Sequence, residues 1–172
     1  LVRTVDIYRN TILTQGVGIS ISGGAGYTQS VRGNAVYANG MPAISGGAQA
    51  DNVTGSLVEA AAALVDPTPT LGQLDPFPAD ETLRGAALDW SAYASHLDVN
   101  LDFNGQPRDG TWRGAYAGSG ANPGWPLAAA IKPEAGTPPP VDGGVVDSGA
   151  GVDAGVEPDA GAEVDAGVET DA

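Results

Sequence analysis

The 172-residue chain contains no cysteine, which excludes disulfide scaffolds, zinc–thiolate sites and thiol nucleophiles together. Basic residues are scarce: 7 Lys and Arg stand against 21 Asp and Glu, a formal charge of −14. Phosphate contacts need clustered cations, so nucleic acid is excluded as a partner. No apolar run approaches the roughly 18 residues of a membrane helix, and no span is expected. The sole histidine, His96, has no sequence-local acid or nucleophile pattern and reads as a surface or cap residue. The chain opens at Leu1 without an initiator Met or a secretory signal, which reads as a processed chain or a fragment. What it has in quantity is glycine, 26 residues, and proline, 13.

The acidity is unevenly placed. Residues 133–172 hold Glu134, Asp142, Asp147, Asp153, Glu157, Asp159, Glu163, Asp165, Glu169 and Asp171 with no Lys or Arg. Residues 1–132 hold the other 11 acids and all 7 bases. The acidic segment opens on Pro138-Pro139-Pro140 and repeats Asp every six residues from Asp147 to Asp171. With only Val and Ala as apolar side chains it cannot bury enough surface to offset ordering, so a disordered, self-repelling linker is expected there. A hexapeptide β-helix would want a large aliphatic residue in each hexad, and a calcium repeat would want converging carboxylates; neither pattern is present.

The first 60 residues carry a faint period. Ile7-Tyr8-Arg9-Asn10-Thr11-Ile12-Leu13 aligns with Val31-Arg32-Gly33-Asn34-Ala35-Val36-Tyr37 at an offset of 24, and that string with Val53-Thr54-Gly55-Ser56-Leu57-Val58-Glu59 at 22. Ile21-Ser22-Gly23 echoes in Ile44-Ser45-Gly46 at 23. Periods of this size signal a solenoid. Short β-branched runs broken by Gly or Asn favour coils of parallel strands over helical or leucine-rich repeats. Asn10 and Asn34, one coil apart, are expected to stack at a turn. The offset also sets Arg9 against Gly33 and Arg32 against Tyr8, so the two arginines fall out of register and read as solvated charges. The coils are placed at 1–65. From Asp66 to Lys132 the period stops, and this segment, with Trp90, Tyr93, Phe103, Trp112, Tyr116 and Trp125, is expected to cover the last coil.

Asp102-Phe103-Asn104-Gly105-Gln106-Pro107-Arg108, followed by Gly114-Ala115-Tyr116, resembles the closing motif of secreted bacterial right-handed parallel β-helix proteins, relatives of the pectate and chondroitin lyases. Leu64-Val65-Asp66-Pro67 is similar to the string that leaves the last coil in that family, and Gly85-Ala86-Ala87-Leu88-Asp89 to a pattern that follows it. Trp112-Arg113 and Ala117 depart from the residues that usually flank Gly-Ala-Tyr. The resemblance implies an all-β fold, a right-handed parallel β-helix with further coils upstream and a C-terminal cap. It implies secretion or display on a Gram-negative surface, with the tail as spacer before a sorting segment. Asp66, Asp102, Gly105, Arg108, Gly114 and Tyr116 would then be turn and cap residues, with an Asp102–Arg108 bond pinning the cap.

A lyase of this kind would need acids converging beside a Lys or Arg base, and Asp6, Arg9, Arg32, Asp51 and Glu59 offer no such cluster. Asp80 with Glu81, or Asp98 with Asp102, are the carboxylate pairs available for hydrolysis, and close carboxylates are commonplace in an acidic chain. Asn52-Val53-Thr54 is a glycosylation sequon of little meaning in a bacterial protein. Tyr8, Tyr27 and Tyr37 are the candidates for stacking on sugar rings. The expectation is a monomeric, non-catalytic capping and spacer region without metal or cofactor, whose partner is a polysaccharide or surface glycan. A fragment of a polysaccharide lyase or hydrolase with upstream catalytic residues, and an adhesin, are the alternatives.

Overall fold

A computed structural model describes residues 4–23 and 26–132; the linker expected over 133–172 lies outside the described residues. Short strands dominate: β1 (Thr4–Tyr8), β2 (Thr11–Thr14), β3 (Ile19–Ser20), β4 (Thr28–Arg32), β5 (Ala35–Ala38), β6 (Ile44–Ser45), β7 (Ala48–Ala50) and β8 (Val53–Gly55). They form three parallel sheets, β1-β4-β7, β2-β5-β8 and β3-β6. Successive strands thus occupy successive sheets, and the chain returns to the first sheet at β4 and again at β7. The fold is all-β, with one α-helix among the described residues, α1 (Leu57–Ala63).

Thr4 pairs with Thr28 and Thr11 with Ala35, the offset of 24 read from the sequence. The other two offsets differ. Ile44 pairs with Ile19 rather than Ile21. Ser30 pairs with Ala48 and Ala35 with Val53, a step of 18 residues instead of 22. The cause is loop length: seven residues separate β3 from β4, whereas only Gly46-Gly47, at φ 78° and 68°, separate β6 from β7. Letter similarity had matched Val31-Arg32-Gly33 to Val53-Thr54-Gly55; strand pairing instead follows the corners.

Those corners repeat. Each β1/β2, β4/β5 and β7/β8 junction is a left-handed residue followed by asparagine: Arg9 (φ 56°) and Asn10, Gly33 (φ 64°) and Asn34, Asp51 (φ 57°) and Asn52. Glycine and aspartate enter this conformation readily, whereas arginine does so at a cost.

Strand β5 is buried on both faces. Val36 and Ala38 join Ile19, Val31, Ala43 and Ile44 in one core, while Ala35 and Tyr37 join Ala60, Ala63, Leu64, Leu83 and Trp112 in another. The period-two alternation thus feeds two cores. The second is closed by α1, which begins at Ser56 through a capping box with Glu59. The segment Ser56-Leu57-Val58-Glu59, read as a third coil strand, is therefore a helix start.

Residues 66–132 pack against the strands through Leu83 and Trp112 in the α1 core and through Trp90 and Tyr93 beside Tyr8. β9 (Leu64–Asp66) and β10 (Asp75–Pro78) pair antiparallel, and 3₁₀ turns follow at Glu81–Leu83 and Ser91–Tyr93. The strap Gly114-Ala115 hydrogen-bonds Gly33 O and Thr11 Oγ1. β7, by contrast, is exposed along its length. The segment thus bonds β2 and the β4/β5 corner, and through Leu83 and Trp112 it shares the core against which Val53 of β8 packs.

Candidate functional site

The corner asparagines form a continuous ladder. Asn34 Oδ1 accepts from the backbone N and Nδ2 of Asn10 at 2.9 and 3.0 Å, and Asn52 Oδ1 accepts the same pair from Asn34 at 2.9 Å each. Asn34 and Asn52 also donate through Nδ2 to Ile7 O and Val31 O in the preceding strand of the first sheet. Asn34 is fully buried, with its polar groups used. Asn52, read as a sequon, is the third rung. Its Asp-Asn pair carries no letter pattern shared with Arg9-Asn10 and Gly33-Asn34, and only the repeated left-handed corner reveals it.

In residues 66–132 nearly every carboxylate is occupied by its own backbone. Asp66, Asp75, Asp80, Asp89, Asp102 and Asp109 each accept at Oδ1 from the N–H two residues on, at 2.8 to 3.1 Å. These are Asx turns. The accepted bonds hold Asp66, Asp80, Asp89 and Asp109 below the usual carboxylate range. Asp80 caps a 3₁₀ turn, and Glu81 pairs with Arg84 at 2.8 Å, so this pair is structural. Asp102 takes Asn104 N and Gln106 N on one oxygen and Ala117 N on the other.

The Asp102–Arg108 bond is absent among the described ion pairs, which are Arg32–Asp51 and Arg84–Glu81. Arg108 instead donates to the carbonyls of Trp112, Gly114, Ala115 and Tyr116 at 2.8 to 3.3 Å. Its guanidinium gathers the strap's carbonyls through Nη1 and Nη2 while Asp102 gathers amides, so the two charges are held by backbone rather than by a direct bond. Gly105 (φ 77°) turns the loop between them. At Gly114 (φ 84°) a Cβ would come within 2.6 Å of Thr11 Oγ1. Tyr116 is buried edge-on to Phe77 and Phe103 at 5.5 and 5.4 Å.

The three tyrosines that are candidates for sugar stacking lie in different surroundings. Tyr37 is 2% exposed inside the α1 core, which removes it as a sugar contact; burial pushes its phenol up to about 12. Tyr27 is 37% exposed. Tyr8 is half-buried in an aromatic group with Tyr93 at 4.9 Å, His96 at 5.5 Å and Trp90 at 6.0 Å. Its hydroxyl lies 2.7 Å from His96 Nδ1, so the lone histidine has a side-chain partner, and Tyr93 OH lies 2.7 Å from Ser30 Oγ.

Arg9 and Arg32 are not merely solvated. Arg32 meets Asp51 at 3.3 Å and donates to Asp89 O. Arg9 is 9% exposed, its guanidinium carbon 3.9 Å from the Trp90 ring centroid. Desolvation lowers its pKa, and burial followed by the charge of Arg9 lowers that of Arg108 to about 10. Two clefts of about 310 and 260 Å³ meet at these arginines, one flanked by Trp90 and the other by Tyr8 and Phe103.

Among the described residues no group of three or more His, Asp or Glu could hold a metal ion, and no helix is long and apolar enough to cross a membrane. Comparison with family models, curated proteins and solved structures gave no match. The side-chain chemistry assembled among the described residues is hydrogen bonding to backbone and aromatic packing, with the Tyr8–His96 and Ser30–Tyr93 contacts the hydroxyl pairs within it.

Proposed function

We propose that residues 1–65 are the C-terminal coils, and 66–132 the cap, of a right-handed parallel β-helix in a secreted or cell-surface protein, and that their role is structural. The observation that carries this reading is the Asn10–Asn34–Asn52 ladder, which holds three successive corners in parallel register. Such a ladder favours a stack in which each turn of chain satisfies the backbone of the next. The 66–132 segment acts as a lateral clasp that ties the coils together through Gly114, Ala115 and the aromatic group under Trp90.

Hydrogen exchange on the full chain tests the reading. Amides of β4 and β5 and those of Arg113 and Ala115 are expected to open together, as one cooperative unit. A clasp that exchanges freely while the strands stay protected would overturn it. So would release of products when the purified chain is incubated with acidic or neutral polysaccharides.

A further inference from the structure

The inward rows of the three layers end on a change of chemistry. Ile7, Val31 and Gln49 stand in register in the first sheet, and Ile12, Val36 and Thr54 in the second. Val31 and Val36 are fully buried and Ile7 and Ile12 pack on the same core, whereas Gln49 and Thr54, the last members of both rows, are polar and exposed. The backbone at this end still has bonds to offer. Between successive rungs the asparagine N–H of one layer donates to the asparagine side chain of the next, and the asparagine carbonyl accepts from the first N–H of the next layer's strand. Asn52 N–H and Asn52 O make neither bond among the described residues. At the other end Asn10 is exposed and its Oδ1 accepts no hydrogen bond among the described residues. Its Nδ2 turns back to Tyr8 O at 2.9 Å, where Asn34 and Asn52 reach the preceding layer. The strings Tyr8-Arg9-Asn10-Thr11-Ile12 and Ala50-Asp51-Asn52-Val53-Thr54 share the same corner spacing and a left-handed second residue. One end of the stack thus carries the donor half of a rung and the other the acceptor half.

We propose that Gln49 and Thr54 are the stop of this stack: they close the β7–β8 edge to a second copy of the chain, whose β1–β2 edge it would otherwise accept head to tail. The proposal rests on reading residues 1–65 as stacked coils. Continued in the same register, the stack would set Gln49 against Ile7 and Thr54 against Ile12 of the second copy. Asn52 N–H would donate to Asn10 Oδ1, and Thr11 N–H to Asn52 O. Like ends cannot form this rung, because each would bring the same half of it. What the head-to-tail junction lacks is an apolar floor. Seating Ile7 and Ile12 strips water from an amide and a hydroxyl that gain no partner between the layers. Short edges with inward polar side chains are a device by which sheets avoid pairing with other chains, and β7 and β8 have three residues each.

Sedimentation velocity over a concentration series, on the full chain and on its Gln49→Val/Thr54→Val double variant, tests this, with amide exchange as the second readout. The wild-type chain is expected to sediment with the mass of one chain and to leave the Asn52 amide exchanging freely. The double variant is expected to form a series of two, three and more copies that grows with concentration, its Asn52 amide slowing by about tenfold or more. Adding Asn10→Ala removes the receiving oxygen and should return most of the mass to single chains. Wild-type association that protects the Asn52 amide, a folded double variant that stays single, growth that stops at a dimer, or growth untouched by Asn10→Ala would each overturn the proposal. Exchange in β4 and β5 keeps this failure apart from that of the coil reading. Free exchange there in the wild-type chain would overturn the coils themselves, whereas with those strands protected the sedimentation result bears on Gln49 and Thr54. Thr54→Val alone, a change at an exposed strand position, should act in the same direction to a smaller extent, and it carries the test where the double variant fails to fold.

Discussion

Asn34 is the residue whose side chain reaches furthest. It accepts from Asn10 and donates to Ile7 O and Asn52, all while fully buried. Asn34→Ala leaves the backbone N–H of Asn10 and the carbonyl of Ile7 without these partners, and a loss of about 3 kcal/mol in urea unfolding is expected. Asn10→Ala, at the end of the ladder, should cost about 1 kcal/mol. The ladder's first two rungs were legible because Asn10 and Asn34 share a seven-residue string. Asn52 was hidden by a shortened loop that broke the period. A second residue-scale expectation concerns Tyr37, whose phenol is pushed up by burial to about 12. The folded protein holds this proton more tightly than the unfolded chain, where the phenol titrates near about 10. Its contribution is therefore complete below that value and is lost as pH rises to about 12. Tyr116 shifts the same way. Absorbance at the phenolate band should show Tyr37 and Tyr116 ionising only as near-ultraviolet ellipticity collapses; early ionisation of all five tyrosines would contradict the burial.

Among the elements, α1 is short and depends on its start. Ser56 and Glu59 exchange side-chain and backbone bonds at 2.7 to 3.3 Å, and Ala60 and Ala63 face the core. Ser56→Ala should destabilise the protein by about 1 kcal/mol, with the amide of Glu59 losing exchange protection first. Ser-x-x-Glu was present in the sequence as a helix signal, but a repeat alignment assigned those residues to a strand. The local hydrogen-bond motif prevails there over the similarity of the repeat strings. The Asx turns were similarly available, since Asp66-x-Thr68, Asp80-x-Thr82, Asp89-x-Ser91 and Asp109-x-Thr111 all place a small hydroxyl residue at the turn's end. Read as turns, they explain why those carboxylates are spoken for by backbone amides.

Over the whole described unit, stability rests on the clasp as much as on the strands. Trp112 sits in one core with Ala35 and Tyr37 from β5, Leu64, and the α1 residues Ala60 and Ala63, although it lies more than 70 residues along the chain from β5. Trp112→Ala should cost about 3 to 5 kcal/mol and should lower protection in β5 as well as in the strap. Loss confined to the strap would mean that clasp and sheets unfold separately.

The sequence by itself determined the all-β character, the 24-residue step and the first two asparagine rungs, because period-two alternation and turn residues act through local backbone geometry. It also separated a nearly balanced folded part from an acidic segment. Only the tertiary structure decided the 18-residue step, the contacts by which Trp112 joins the β5 core, and the fates of Asp102, Arg108 and Tyr37. Those outcomes depend on which distant backbone groups compete for a charge or cover a ring. Arg9 is the clearest case: as a letter it is a surface cation beside a turn, and its burial exists only because Trp90, 81 positions later, lies across it.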